Sequence, residues 1–462
     1  MKPIVMDLNN NNTEFLYIQL YEELKSQILS GHMSCGERLP SLRNLSSELG
    51  ISVTTIGQAY DQLLVEGYIM SKPQSGYYVA SINSQSSSLS GQTMQPADNL
   101  IHYAFEEPPY LYDLNCFDFR KWKKCAAKVF NHYSQLLLFE SDPQGEPALR
   151  YEISKYIHRF RGVNAHPDNI VIGAGTQQIT SHLSRILAKM DIHHVSLEAP
   201  GYLPVQSMFC DGGFTVSHIH VASDGIDIER LPVNISSAVY VSPSNQFPTG
   251  AVMPVGRRYQ LLEWAKNNNS IIIEDDYDSE LRYFGKPVPA MQGLDKNNRV
   301  VYLGSFSSTL FPAVKISYMV LPDAMAAIFR SIKNQYTQTC SKSEQLTLAL
   351  FMEEGHYYTG IRKLRSLYSQ KLQAAVAAFA KYGGSTIVSV NTQSGINLTI
   401  KVRSHKSADS LCTDAASLGL HMVPLSEITD QQTSALIFYY NQIPLDQIDS
   451  LIQAVTSTWN MA

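Results

Sequence analysis

Apolar residues recur at two different periods along this chain, and the change of period divides it. Over the first eighty residues the period is helical. Leu20, Leu24 and Ile28 are spaced i, i+4, i+8 with Tyr17 and Tyr21 beside them, which predicts an amphipathic helix stopped at Gly31. Leu42, Leu45 and Leu49 line a second helix, opened by Ser41 after Pro40 and closed by Gly50. One short turn later Ser52 opens a third helix, with Ile56, Tyr60 and Leu63 as its buried stripe and Gly67 as its end. Two helices joined by so tight a turn predict a helix-turn-helix. Residues 68–80 then offer two short β-prone runs around Lys72-Pro73-Gln74-Ser75-Gly76, a hairpin or wing.

Further along, continuous apolar runs alternate with helical ones, the pattern of an α/β protein. A buried strand at 170–173 turns through Gly173-Ala174-Gly175-Thr176 into a helix. Another, Ile271–Ile273, ends in Glu274-Asp275-Asp276-Tyr277. Strands at 300–303 and 316–321 flank Ser305, Ser307, Ser308 and Thr309. Between the two periods, residues 81–98 hold six serines and one charge without periodicity, which predicts a flexible linker. The expected organisation is a winged helix-turn-helix over 12–80, a linker over 81–100, and a large α/β unit over 101–462 with a smaller C-terminal lobe from about 345.

Composition narrows the class. The chain has 462 residues, 44% of them apolar, enough for a large core. Its net charge of −5 excludes a polybasic protein, so any DNA binding must come from a local surface. No uncharged apolar run reaches the roughly 18 residues of a membrane span. The opening MKPIVMDLNNNNTEF lacks the pattern of a secretory signal. Six cysteines (35, 116, 125, 210, 340, 412) form no CxxC pair, which argues against a zinc ribbon or a disulfide framework and suits a reducing cytoplasm. No metal site is expected.

In the N-terminal unit, Ser52, Val53, Thr54, Thr55, Gly57 and Gln58 lie at the start and outer face of the third helix, where a winged helix meets base edges. Arg43, on the second helix with its cap Ser41, reaches a guanine or a phosphate. Arg38, Lys72 and Gly76 belong to the part that holds the DNA backbone. A helical protein-interaction module is the alternative. Residues 1–80 carry five Lys/Arg against eight Asp/Glu, a net of −3, whereas most DNA-binding domains are basic. Three of the five cations nevertheless fall on the expected docking face.

Residues 16–80 closely resemble the winged-helix domain of the GntR family of bacterial repressors. The matching text is Ile28-Leu29-Ser30-Gly31, then Gly36-Glu37-Arg38-Leu39-Pro40-Ser41-Leu42-Arg43, Leu49-Gly50-Ile51-Ser52, Ala59-Tyr60-Asp61-Gln62-Leu63 and Glu66-Gly67-Tyr68. The resemblance implies binding of double-stranded DNA, with Arg43 matching a base-contacting arginine. Val53 and Gly57 stand where the family often has arginine, so guanine readout should be reduced.

In the large unit, amide groups at the helix start after Gly175 form an anion site. Carboxylates at the end of strand 271–273 lie where α/β sheets bind ligands, or else form a solvated loop cluster. The hydroxyls of 305–309 with Lys315 suit a phosphate, or else an ordinary polar turn. From Asp142-Pro143-Gln144-Gly145 through Leu321 these segments resemble, in order and spacing, an aminotransferase of the pyridoxal-phosphate fold-type I class. Behind a GntR-like domain, this looks like the MocR/GabR-type regulators. The resemblance implies that Gly175, Thr176 and Gln177 hold the phosphate of pyridoxal 5'-phosphate, and that Tyr202 stacks on its ring. It implies that Asp275 pairs with the pyridine nitrogen, Tyr277 faces the phenolic oxygen, and Ser305, Ser307 and Lys315 complete the phosphate site. It further implies a head-to-tail homodimer.

Three departures accompany this resemblance. The family's Schiff-base lysine is replaced by Ser308, within Ser307-Ser308-Thr309-Leu310, and a serine has no amine. No arginine follows Arg403, so the arginine that takes a substrate carboxylate in the family is missing from the strand Ala435-Leu436-Ile437-Phe438-Tyr439-Tyr440. Asn245 stands where the family usually has histidine. Either the domain binds pyridoxal phosphate non-covalently, or it has changed ligand or become a dimerisation scaffold. The expected function is a cytoplasmic DNA-binding transcription regulator that senses a small-molecule effector, an amino acid or a vitamin B6 compound. The alternative is an active aminotransferase with an accessory DNA-binding domain, and Ser308 argues against it.

Overall fold

A computed structural model describes residues 15–73, 75–81, 111, 113–276, 278–283, 288–390, 392–430 and 433–460. The chain divides into two compact units, Met1–Glu106 and Glu107–Ala462. The expected linker therefore lies almost wholly outside the described residues, and so does Tyr277.

The first unit is built from α1 (Leu16–Leu29), α2 (Leu42–Leu49), α3 (Val53–Val65) and the antiparallel pair β1 (Ile69–Lys72) and β2 (Gly76–Val79). Its core is the helical stripe read from the sequence: Leu20, Leu24, Leu45, Ile56, Tyr60 and Leu63, closed by Ile69 and Val79 of the wing. Ser41 and Ser52 are N-caps, each Oγ accepting the backbone N–H three residues on, from Asn44 at 3.3 Å and Thr55 at 3.1 Å. Gly50 ends α2 in the left-handed region.

The second unit opens with α4 (Phe119–His132) and α5 (Pro147–Arg161). Then follow β3 (Ile170–Gly173), α6 (Thr176–Lys189), β4 (His194–Ala199), α7 (Leu203–Asp211), β5 (Thr215–Ala222), β6 (Gly225–Ile226), β7 (Ala238–Val241), α8 (Val255–Asn267), β8 (Ile271–Asp275), β9 (Val300–Ser305), β10 (Ser317–Val320) and α9 (Asp323–Ile332). Their strands form one sheet in the order β3-β10-β9-β8-β7-β4-β5-β6. The pairs joining β5, β4, β7, β8 and β9 are parallel, and β10 runs antiparallel between β9 and β3.

Both faces of this sheet are covered, which is why its strands read as unbroken apolar runs. Successive side chains go to opposite cores. Val301, Leu303 and Met319 join Ile179, Leu183, Phe209 and Phe329 on one face. Tyr302, Tyr318 and Val320 join Ile153, Ile157, Leu348 and Met352 on the other. A Cβ on Gly304 would come within 2.4 Å of the Tyr318 ring, so only glycine lets these strands meet there.

The remaining elements are α10 (Lys342–Glu353), α11 (His356–Gly383), β11 (Ile387–Val390), β12 (Leu398–Arg403), α12 (Ala408–Ser417), β13 (Met422–Asp430), β14 (Thr433–Phe438) and α13 (Ile448–Asn460). The antiparallel sheet β11-β12-β14-β13 is packed by the later turns of α11, with Leu364, Tyr368, Leu372 and Phe379, and by α13. Leu348, Phe351, Met352 and Tyr357 belong to the large sheet's core. One long helix therefore serves both cores, its first turns the large sheet's and its turns from Leu364 onward the small sheet's. Lys371, fully buried on that helix, is held by Asp113 at 2.7 Å and donates to the Asn441 carbonyl at 2.8 Å.

Candidate functional site

In the winged-helix unit, Arg38, Ser41, Arg43, Ser52, Val53, Thr54, Gln58 and Lys72 are exposed, while Thr55 and Gly76 are half-buried. The hydroxyls of Ser41 and Ser52 serve as helix caps. Arg38 bridges Tyr78 of the wing through its backbone, and the Lys72 ammonium lies 4.5 Å from the centre of the Tyr78 ring. The left-handed Gly76 leaves room beside the Arg38 guanidinium, where a Cβ would lie at 3.5 Å.

The cations of this unit differ in their pairing. Lys25 is held by Glu66 at 3.7 Å and donates to Tyr21 at 2.7 Å. Arg38, Arg43 and Lys72 have no ion pair among the described residues. Of the described cations in this unit, Lys25 is thus spent on an acid, and Arg38, Arg43 and Lys72 are not.

In the second unit, register brings the expected residues to one end of the sheet. Gly173 of β3 pairs with Ser317 of β10, which pairs with Ser305 of β9. The start of α6 therefore lies beside the Ser305–Ser308 turn. Gly175 makes the turn at φ 87°, and no side chain caps α6 at Thr176 and Gln177. Ser317 Oγ donates to Ser305 Oγ at 2.9 Å, and Ser305 Oγ accepts the Ser307 amide at 3.3 Å. Ser307 and Ser308 are half-buried, and Lys315 is exposed in the left-handed region at φ 47°.

Asp275 ends β8, opposite Leu303 of β9, at the same carboxyl end of the strands. Tyr240 of β7 donates to Asp275 Oδ2 at 2.6 Å. Desolvation pushes Asp275 up to about 6, Tyr240 pulling it back and the charge of Asp276 adding to the rise. Within electrostatic reach of it is Glu198, near the end of β4, whose Oε2 accepts the Ser242 amide at 3.2 Å. Burial pushes Glu198 up to about 8, so at neutral pH it is mostly protonated. Tyr202, beyond β4, is 43% exposed and within electrostatic reach of Asp275. Asn245 is buried, its Oδ1 accepting from Ser394 Oγ of the C-terminal lobe at 2.9 Å.

The solvated-loop alternative for the carboxylates is overturned. Glu274 is fully buried and accepts the amides of Met291 and Gln292 at 2.7 and 2.8 Å. Asp276 is buried against Arg161, which donates to its two oxygens at 2.7 Å each and to Ser244 at 2.8 Å. Ser279 and Tyr302 also donate to Asp276. Tyr240, Glu198, Ser317 and the Arg161–Asp276 pair were not singled out from the sequence. Tyr240 and Ser317 sit inside apolar strand runs, and Arg161 reads there as an ordinary cation at a helix C-terminus.

Tyr439 directly follows β14. It stacks on His421, with ring centres 4.7 Å apart and planes at 15°.

Residues 16–79 match the bacterial regulatory proteins of the gntR family, and residues 108–434 match the aminotransferases of class I and II. The chain belongs to the gntR family of regulators and carries an aminotransferase class I and II domain. The expected winged helix and fold-type I architecture are both found. This gntR-family chain is 34% identical over 450 residues to the HTH-type transcriptional regulator YhdI of Bacillus subtilis, covering 96% of each chain. It is 32% identical to the probable rhizopine catabolism regulatory protein MocR of Rhizobium meliloti, covering 89% of this chain and 86% of that one. It is 28% identical to the pyridoxine biosynthesis regulator PdxR of Corynebacterium glutamicum, covering 91% and 90%. An archaeal alanine:glyoxylate aminotransferase shares the fold at a TM-score of 0.67 and 19% identity, covering 78% of this chain and 92% of that one. The gntR-family chain is thus a helix-turn-helix transcription regulator with an aminotransferase-like domain, a reading its relatives favour over an aminotransferase with an accessory DNA-binding part. No helix among the described residues is long and apolar enough to cross a membrane.

Proposed function

We propose that this regulator is a cytoplasmic homodimer that senses a small-molecule effector through non-covalently bound pyridoxal 5'-phosphate, and that it does not turn over amino acids. The reading rests on one conjunction: Asp275 is held ready by Tyr240 at the sheet's carboxyl end, while Ser308 offers no amine. The residues present fit the cofactor's polar groups. Gly175, Thr176, Gln177, Ser305, Ser307, Ser308 and Lys315 would hold its phosphate, with Asn245 and Tyr202 beside the ring and Tyr277 near its phenolic oxygen. When bound, the group supplies a reactive aldehyde on an electron-withdrawing ring. Asp275 carries the negative charge that a protonated ring nitrogen needs, and Glu198, mostly protonated, adds no second charge beneath it. Tyr240 fixes the orientation of Asp275. An amino acid or a vitamin B6 compound is the effector class.

In the DNA-binding unit, Arg43, Val53, Thr54, Thr55 and Gln58 would meet base edges. Arg38, Lys72, Gly76 and the helix starts at Ser41 and Ser52 would hold the phosphates of double-stranded DNA. The effector shifts DNA affinity only by binding unequally to the arrangements of the two heads in the dimer.

The test is a titration with pyridoxal 5'-phosphate followed by absorbance, then borohydride treatment and mass spectrometry. Saturable binding that leaves no covalent adduct, and that Asp275→Ala abolishes, is the expected result. A borohydride-trapped adduct on a lysine, or turnover of an amino donor with a keto acid, overturns the reading.

A further inference from the structure

A cavity of about 430 Å³ lies between the end of α5 and the beginning of α11, and four arginines line it: Arg159, Arg161, Arg362 and Arg365. Its size falls within the usual range of small-molecule sites. Arg159 and Arg362 are exposed, and neither they nor Arg365 forms an ion pair among the described residues. Arg365 donates one N–H to the Arg282 carbonyl at 2.6 Å, which fixes its head and leaves its other donors unspent. One carboxyl shares the wall. Glu280 accepts from Tyr156 Oη at 2.6 Å, and burial with the nearby Asp276 charge holds it above the usual carboxylate range. The cavity is therefore cationic.

Its other lining is aromatic. Phe160 and Tyr358 stack with ring centres 5.4 Å apart and planes at 28°. Phe160 is 41% exposed, and the Arg159 guanidinium lies 5.5 Å from its centre. Unpaired guanidinium groups beside an exposed flat ring match a ligand that is anionic at one end and flat and apolar at the other.

The cavity does not belong to the site around Asp275. Asp275 turns to Tyr240, whereas the next residue, Asp276, turns to Arg161. Arg161 is both part of the cavity wall and the partner of Asp276. The two sites stand on opposite sides of the end of β8.

We propose that this cavity is a second binding site, for a small organic anion with a flat apolar body. Nothing in the cofactor-type site is required for it. The anionic end pairs with Arg159, Arg362 and Arg365, and the body lies against Phe160 and Tyr358.

The test is calorimetry of the full chain at low salt with phenyl phosphate and with benzoate, inorganic phosphate serving as a comparison. At least one aromatic anion binds saturably, and inorganic phosphate binds at least about tenfold more weakly because it leaves the rings uncovered. Whether phenyl phosphate or benzoate is preferred distinguishes a phosphate ester from a carboxylate. Arg159→Glu combined with Arg362→Glu weakens binding by at least about tenfold, while Asp275→Ala leaves it within about twofold. Both reversed arginines are exposed and unpaired, so folding should persist; should it fail, Phe160→Ala provides the same reading through the ring. No saturable binding of either aromatic anion overturns the proposal. So does binding that these cavity variants leave unchanged, or that Asp275→Ala removes.

Discussion

Removing the carboxylate of Asp276 breaks a buried ion pair of the large unit. Arg161 and Asp276 side chains are 3% and 2% exposed, and they meet through two hydrogen bonds of 2.7 Å. Asp276→Ala leaves a guanidinium in the interior with only Ser244 and the Val288 carbonyl for partners. A buried charge stripped of its partner costs about 3–5 kcal/mol. The donors of Ser279 and Tyr302 lose their acceptor as well, which places the cost toward the upper end. All three tryptophans, Trp122, Trp264 and Trp459, belong to the large unit, so tryptophan fluorescence, excited selectively over tyrosine, reads its unfolding alone in urea. With a slope of about 3 kcal/mol/M, the midpoint should fall by roughly 1–2 M. Pairing Asp276→Leu with Arg161→Met removes both charges and should cost much less than the two single losses together. A loss below about 1 kcal/mol for Asp276→Ala, or additive single losses in the pair, would refute the claim that this pair is buried and tightly coupled.

Other outcomes follow from the same geometry. Ser52→Ala removes the cap that accepts the Thr55 amide and should cost the winged-helix unit about 1 kcal/mol in its thermal melt; an unchanged melt would show that the cap bond contributes nothing. Lys72→Ala should weaken DNA binding about equally across sequences and lower the salt slope by about 1, whereas Arg43→Ala should relax sequence preference; the reverse pattern would exchange their roles. Glu198 is raised from 4.5 to about 8 in the folded chain, so between those values the folded state holds a proton that the unfolded chain releases. Its contribution to stability is therefore present at low pH and lost as pH rises toward 8. Glu198→Gln should flatten that loss and be more stable than the parent at pH 9; an unchanged urea midpoint there would contradict the buried, protonated carboxyl.

How much of this was legible in the sequence depended on the distance between the partners. The winged helix was readable almost throughout, because its signals are local: Leu20, Leu24 and Ile28 share a face, and Ser41 and Ser52 each cap within three residues. The placement at strand ends was readable for residues at turns, such as Gly175, Ser305 and Asp275. Their supports were not. Tyr240 and Asp275 are 35 residues apart and become neighbours only through the pairing of β7 with β8. Arg161 and Asp276 are separated by 115 residues, and the acid looked like one of a solvated run until burial showed otherwise. Glu198 gave no signal, since a lone glutamate at a strand end is ordinary until the fold buries it near a second carboxylate. Nor could the sequence show that α11 carries one apolar stripe past two different cores, which only the fold separates.

The central claim joins DNA reading to a ligand-sensing domain without catalysis, and one measurement bears on both halves. Fluorescence anisotropy would follow labelled DNA from the flanks of the protein's own gene, with unlabelled competitor present, with and without pyridoxal 5'-phosphate. A salt-sensitive, competitor-resistant affinity that the cofactor shifts in the parent chain but not in Asp275→Ala is the predicted result. Specific DNA binding that is indifferent to the cofactor in both proteins would contradict it.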